Sequence, residues 1–481
     1  MTDPAKVRAA LLSAIPPGVS VQSEEVPPGL VYVPPAHIRA LRLESSLVIG
    51  ARGVGKSFWT SALTSAEVRT QLATFLPDLG KTDVQIGFSV GMNLERYPTD
   101  IVIGKLLTQF DPYHIWLAVF SRWANRLLGE SVVDVNRPWG QAVQAIVDDP
   151  EKADRTLERA NKFLESKGQF ALILFDALDR SCNDWQTMDT IVRGLLRAVL
   201  KLQGAPRLKA KVFLREDQWD RTVTNFPDAS KLYASRAELT WEREDLHGML
   251  WQFLINAPVG NGEFARTLFC QVTNIQLKSA GARWYLPREV KSDEKILRTL
   301  FEAVAGKYMG TDQRRGIPYV WIVGHLADAR RRTSPRSFLA ALRIAADDSV
   351  QRYPRHPHGL HYESIKRGVQ GASAIRIQEI AEDYPWVRLV MDPLKGQTVP
   401  CEFRKMSKAW NEALDKGLKD RLKSEGLPPA RLDEGSAGLK EDLIRIGVLE
   451  ETPDGRINMP DLYRIGFGLG RKGGVRPIKR N

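Results

Sequence analysis

Gly50-Ala51-Arg52-Gly53-Val54-Gly55-Lys56-Ser57 fits the pattern G-x-x-x-x-G-K-S. Glycines at this spacing let backbone N–H groups curl around a phosphate, the lysine reaches the β- and γ-oxygens, and the serine hydroxyl serves Mg2+. The expected nucleotide contacts are Gly50, Arg52, Gly53, Val54, Gly55, Lys56, Ser57 and Phe58. A carboxylate is needed opposite them. Phe170-Ala171-Leu172-Ile173-Leu174-Phe175, the most apolar run of the chain, ends at Asp176, roughly 120 residues beyond the lysine. An acid there holds Mg2+ directly or through water, so Ser57 and Asp176 form the expected metal pair. No N-K-x-D pattern for reading guanine is present, which favours ATP over GTP. ATP and Mg2+ are thus the expected cofactors.

Such a loop works only between a strand and a helix, and the flanking sequence supplies both. Ser46-Leu47-Val48-Ile49 is a short apolar run, and residues 58–75 follow with helical spacing. Residues 84–90 make a second strand, the run ending at Asp176 a third, and Lys211-Val212-Phe213-Leu214, closed by Arg215, a further one. Residues 101–128 and 153–165 carry apolar residues every three or four positions and are expected to be helical. Strands alternating with helices over residues 40–240 predict an α/β core with a parallel sheet, whose ligand lies at the carboxyl ends of the strands.

Prolines break residues 1–35 into a lead-in, so the core is expected over 36–240. Beyond it, residues 241–255, 294–305, 320–329 and 334–346 have helical spacing, giving a helical lid over 241–350. The proline-rich stretch 351–405 is expected to be a connector with some structure of its own. In 406–481, a short amphipathic helix (438–446) precedes two strands around the turn Thr452-Pro453-Asp454-Gly455, which suggests a C-terminal winged helix with a basic tail.

Composition narrows the classes further. The 481 residues are 43% hydrophobic and 26% charged, which excludes a mostly disordered chain, and no apolar run approaches the ~18 residues of a membrane span. The N-terminal apolar stretch is too short and interrupted for a signal peptide, so a cytoplasmic protein is expected. Cys182, Cys270 and Cys401 are isolated and odd in number, and suggest neither disulfides nor a thiolate zinc site. The net charge of +12 favours polyanionic partners, most strongly at residues 464–480, where six basic residues meet no acidic one.

Phe175-Asp176-Ala177-Leu178-Asp179-Arg180 resembles the Walker B element of the STAND and KAP classes of P-loop ATPase, whose members carry D-G-L-D or D-D-L-D-R at this place. The resemblance implies that Asp176 serves the metal and that Asp179 positions the attacking water or acts as base. Val212-Phe213-Leu214-Arg215 is similar to the strand that ends in the sensor 1 arginine of STAND ATPases, which implies that Arg215 reports the γ-phosphate. Leu239-Thr240-Trp241, followed by Asp245-Leu246, resembles the start of the helical lid, and Ser334-Pro335-Arg336-Ser337-Phe338 the Pro-Arg start of a lid helix. Arg336 would then be a sensor 2 residue touching the nucleotide. The resemblance spans roughly residues 35–350 and implies the catalytic set Lys56, Asp176, Asp179 and Arg215. Ala177 stands where many KAP and AAA+ members carry an acid, which implies slow hydrolysis. Many KAP proteins insert membrane helices before the Walker B strand, whereas residues 101–128 carry Lys105, Asp111, Arg122 and Arg126, too polar to span.

The expectation is therefore an ATP-hydrolysing switch or assembly ATPase that self-associates or meets an effector protein, similar to members of bacterial antiphage defence. Two alternatives stay open: a DNA-handling AAA+-like ATPase with a DNA-binding winged helix, and a nucleotide-stabilised scaffold without turnover. In the C-terminal segment, Lys440, Arg445 and Arg456 favour DNA, whereas Glu441, Asp442, Glu450, Glu451 and Asp454 favour a protein partner. His356, His358 and His361 lie in a proline-broken loop without cysteine and make a poor metal site. Arg314-Arg315 and Arg330-Arg331-Arg332 are expected to be solvated helix ends rather than arginine fingers.

Overall fold

A computed structural model describes residues 3–17, 26–129, 137–182, 184–219, 222–425, 427–472, 475 and 477. The chain divides into two compact units, Val21–Thr240 and a second made of Met1–Ser20 with Trp241–Asn481.

The first unit is built on β1 (Leu47–Ile49), β2 (Thr82–Phe88), β3 (Phe170–Phe175), β4 (Leu208–Leu214) and β5 (Arg236–Glu238). Their order is β2-β3-β4-β1-β5, and every neighbouring pair is parallel. This is a five-stranded, wholly parallel sheet in an α/β unit. Successive strand residues face opposite sides, and β3 is buried on both. Ala171, Ile173 and Phe175 join a cluster with Trp116, Phe120 and Trp123 of the helix Pro112–Leu127, while Leu172 and Leu174, equally buried, take the other side. Edge-to-face contacts of Phe175 with Trp116 and Phe120, centroids 5.5 and 5.8 Å apart, fix that strand end. Pro112 divides the helical stretch expected at 101–128 into Asp100–Leu106 and Pro112–Leu127. Sequence periodicity gave no sign of β5, a three-residue edge strand bounded by Arg236 and Glu238.

Lys211 of β4 is fully buried, and its Nζ donates to the carbonyls of Ala40, Arg42 and Ser45 at 2.7, 2.9 and 2.6 Å. Three acceptors match the three donors of an ammonium, so this lysine fastens the segment that leads into β1.

The second unit is mainly helical. Within residues 351–405, Tyr362–Asp383 is a helix of 22 residues, antiparallel to Pro335–Arg352. Small residues make the seam. A Cβ on Gly368 would lie 2.2 Å from the carbonyl oxygen of Ala341, so the backbones approach as only glycine allows. On the same helix, Ser373 Oγ donates to Leu462 O at 2.6 Å and accepts from Gly466 N at 2.9 Å, which docks the helix Asp461–Phe467. The lead-in is also partly helical, because Pro4–Ala14, capped by Asp3, packs on Pro335–Arg352.

The C-terminal helix-then-hairpin order is present: Gly435–Arg445 is followed by β8 (Glu450–Glu451) and β9 (Ile457–Asn458), paired antiparallel, and Ile457 also bridges to Cys401. A further pair, β6 (Lys278–Ala280) and β7 (Arg283–Tyr285), lies earlier in this unit. Among the described residues, no helix is long and apolar enough to cross a membrane.

The expected basic tail is altered by the fold. Arg464 is fully buried, donating to Asp461 at 2.7 Å, to Leu469 O at 3.0 Å and to Val475 O at 2.7 Å. Arg471 also donates to Asp461, at 2.8 Å. Both side chains hold the chain end together and are not displayed for a polyanion. Arg476, Lys479 and Arg480 lie outside the described residues.

Candidate functional site

The loop after β1 begins where Gly50 N donates to Leu214 O of β4 at 3.1 Å. It ends at Gly55, whose φ of 108° caps the helix Lys56–Thr64, and Gly53 also has positive φ, 79°. Both conformations suit glycine because a side chain would be strained there. Gly50 is constrained by space instead, since a Cβ would sit 2.6 Å from Val54 Cγ1. Lys56 folds over the loop, and its Nζ donates to the carbonyls of Gly50 and Ala51 at 2.7 and 2.9 Å. Phe58 lies beyond, edge-on to Trp59, while Trp59 Nε1 donates to His37 Nδ1 at 3.0 Å.

Parallel pairing brings the other candidates to the same end of the sheet. Asp176 follows β3, Arg215 follows β4, and β4 lies between β3 and β1. Asp176 is buried and accepts the Ser57 hydroxyl and the Ala177 N–H. Burial pushes its carboxyl above the usual range, against those hydrogen bonds and the charge of Lys56. Burial also pushes the Lys56 ammonium down to about 8, helped by the like charge of Arg215 and opposed by Asp176, Asp179 and Asp217. Lys56, Ser57, Asp176, Asp179 and Arg215 therefore form one electrostatic cluster.

Arg215 is almost fully buried, and its Nη1 donates to Asp179 Oδ2 at 3.4 Å. Asp179 itself lies in a 3-10 turn, Leu178–Arg180, entered through Ala177 at φ 55° and ψ 33°. Nothing in the motif pattern pointed to Asp217, which holds the other edge of the Arg215 guanidinium. The only sequence signal is an acid two places after the arginine.

The donor set fits the expected cofactors. A loop closed by glycines and a lysine, with a helix N-terminus behind it, suits anionic phosphate oxygens. A serine hydroxyl within hydrogen-bonding distance of a carboxylate is a hard-oxygen pair of the kind that holds Mg2+, which takes few protein ligands and fills its sphere with water and phosphate. Among the described residues there is no group of three or more His, Cys, Asp or Glu able to hold a metal by themselves. His356, His358 and His361 instead pack with Tyr353, whose ring stacks on His361 with centroids 3.6 Å apart.

Arg336 belongs to the second unit. It lies in the first turn of Pro335–Arg352, behind the cap of Ser334, and pairs with Glu379 at 2.8 Å. Its expected contact with nucleotide rests on the resemblance alone. In the C-terminal segment Lys440 pairs with Glu441 and Glu451 at 3.0 and 3.6 Å, Arg445 with Asp442 at 3.4 Å, and Arg456 with Asp454 at 2.7 Å.

The chain matches no protein-family model and no curated protein. Among solved structures it is similar to the ORC2 protein of Aeropyrum pernix, determined as ADPNP–ADP complexes, at 12% identity, covering 90% of this chain and 93% of that one, with a TM-score of 0.32. A score that low does not establish a common fold over the whole chain.

Proposed function

We propose that the chain is an Mg2+-dependent ATPase that turns over slowly and acts as a nucleotide-controlled switch. The observation that carries the reading is the convergence of Lys56, Ser57, Asp176 and Arg215 at the ends of three adjacent parallel strands, around a glycine loop shaped for phosphate. Lys56 binds the β- and γ-oxygens, Ser57 and Asp176 hold the metal, and Arg215 reads the terminal phosphate. When bound, Mg2+ neutralises charge on the phosphate oxygens. Asp179 orients the water or takes its proton. Slow turnover follows from two features: Ala177 supplies no carboxylate beside Asp176, and Asp179 is shared with Arg215. Slow hydrolysis suits a switch, whose lifetime in the ATP state sets the duration of its signal.

By the resemblance to STAND ATPases Arg336 is the sensor 2 residue, and we assign the C-terminal helix and hairpin as a winged-helix-like docking module for a partner protein or another copy. The pairing of Lys440, Arg445 and Arg456 with acids on the same element favours a protein partner over DNA, because a paired cation releases fewer counterions from a phosphate backbone. By the resemblance to STAND and KAP ATPases, that partner is an effector of a multi-protein system such as bacterial antiphage defence.

Phosphate release by the purified chain, followed with molecular size in ATP and in ADP, tests the reading. Slow Mg2+-dependent release that disappears in Asp176→Ala, ignores duplex DNA and accompanies an ATP-dependent change in size is expected. Stimulation by DNA would support the DNA-handling alternative instead, and tight nucleotide binding with no release would support the scaffold.

A further inference from the structure

Two residues beyond Arg215, the chain carries a carboxylate that belongs to none of the motifs. Asp217, in the first turn of the short helix Glu216–Trp219, takes the guanidinium side-on. Arg215 Nε donates to its Oδ1 at 3.0 Å and Nη2 to its Oδ2 at 2.8 Å. Nη1 then faces Asp179 Oδ2 at 3.4 Å. The side chains of Arg215 and Asp217 are 10% and 19% exposed, so the pair is largely shielded from water. Gln218 secures the same turn, because its Oε1 accepts the Arg215 backbone N–H at 3.2 Å and its Nε2 reaches Met188 Sδ at 3.5 Å.

A guanidinium held by two parallel hydrogen bonds is fixed in plane and direction, which a single point contact cannot do. An arginine left loose must be ordered when phosphate arrives, and that ordering subtracts from affinity. Asp217 also bears on the neighbouring cation. Arg215 disfavours the charged form of Lys56, and Asp217 adds to the larger opposing effect of Asp176 and Asp179.

We propose that Asp217 is a positioning residue that grips Arg215 by its Nε/Nη2 edge and so directs the Nη1 end at the terminal phosphate of a bound nucleoside triphosphate. This deepens the function proposed for the site and rests on it. The effect of Asp217 passes through Arg215, and it is selective for the triphosphate because only the terminal phosphate reaches that arginine.

Calorimetric titration of the full chain with Mg2+ and either ADP or the nonhydrolysable triphosphate AMP-PNP tests the assignment. Asp217→Asn is expected to weaken AMP-PNP binding about tenfold, the scale of one charge-assisted contact, with ADP affinity and thermal midpoint unchanged. Arg215→Ala should lower the same preference, and adding Asp217→Asn to it should change nothing further. A wild-type ratio of AMP-PNP to ADP affinity in Asp217→Asn would overturn the proposal. So would an equal loss for both nucleotides, which marks a merely structural role, or an additive effect in the double variant. A wild-type chain that binds neither nucleotide would overturn the reading of the site and this proposal together. Wild-type binding with an unmoved ratio in Asp217→Asn would overturn this proposal alone.

Discussion

Ala177 adopts φ 55° and ψ 33° immediately after the metal-side carboxylate. An L-residue in this left-handed region is strained by roughly 1–2 kcal/mol. The turn demands it: the Ala177 N–H donates to Asp176, Ala177 O accepts from Arg180 N at 3.0 Å, Leu178 is buried, and Asp179 is left facing Arg215. The STAND pattern D-G-L-D places glycine here. Ala177→Gly would relieve the strain but enlarge the unfolded ensemble by roughly 0.4–1 kcal/mol, so a net gain of about 0.5 kcal/mol is expected. Chemical denaturation of both forms checks this, and a loss of stability would contradict the strain argument. Lys56, Ser57 and Asp176 were legible in the sequence because a phosphate loop and a buried strand end impose local patterns. Asp217 was not legible, because its partnership with Arg215 depends on how the chain turns after β4. Arg464 was misjudged for a related reason: an arginine that folds back on its own carbonyls has no sequence signature.

At the scale of elements, β3 was readable to the residue because a strand buried on both faces is a continuous apolar run. The helix Tyr362–Asp383 was hidden by the opposite circumstance. Its buried face sets Ile365, Val369, Ile377 and Ile380 among Ser364, Gly368, Ala372, Ser373 and Glu379, so the apolar stripe is thinned by small and polar residues. Close packing substitutes for large side chains. Gly368→Val would drive a branched side chain into the backbone of Pro335–Arg352, where even a Cβ meets Ala341 O at 2.2 Å. A loss of about 3 kcal/mol is expected, seen as a lower unfolding midpoint, because backbone gives way less readily than a side chain. An unchanged midpoint would show that the two helices are not held so closely. The short edge strand β5 carries too little pattern to be read, because two of its three residues, Arg236 and Glu238, are charged.

For the molecule as a whole, the chain divides into two compact units between Thr240 and Trp241. Residues 241–350, 351–405 and 406–481 fall in one unit with the helix Pro4–Ala14. Of the basic residues behind the net charge of +12, Lys440, Arg445, Arg456 and Arg464 are paired with acids. The proposed function depends most on the glycine loop and its neighbouring strand ends binding a nucleotide through its phosphates and Mg2+. Calorimetric titration of ATP into the full chain and into Lys56→Ala, each with Mg2+ and with EDTA, tests it most directly. The account expects saturable binding by the wild-type chain that weakens without Mg2+ and is lost in Lys56→Ala at an unchanged unfolding midpoint. Equal binding by the wild type and Lys56→Ala, or no binding by either, would contradict it.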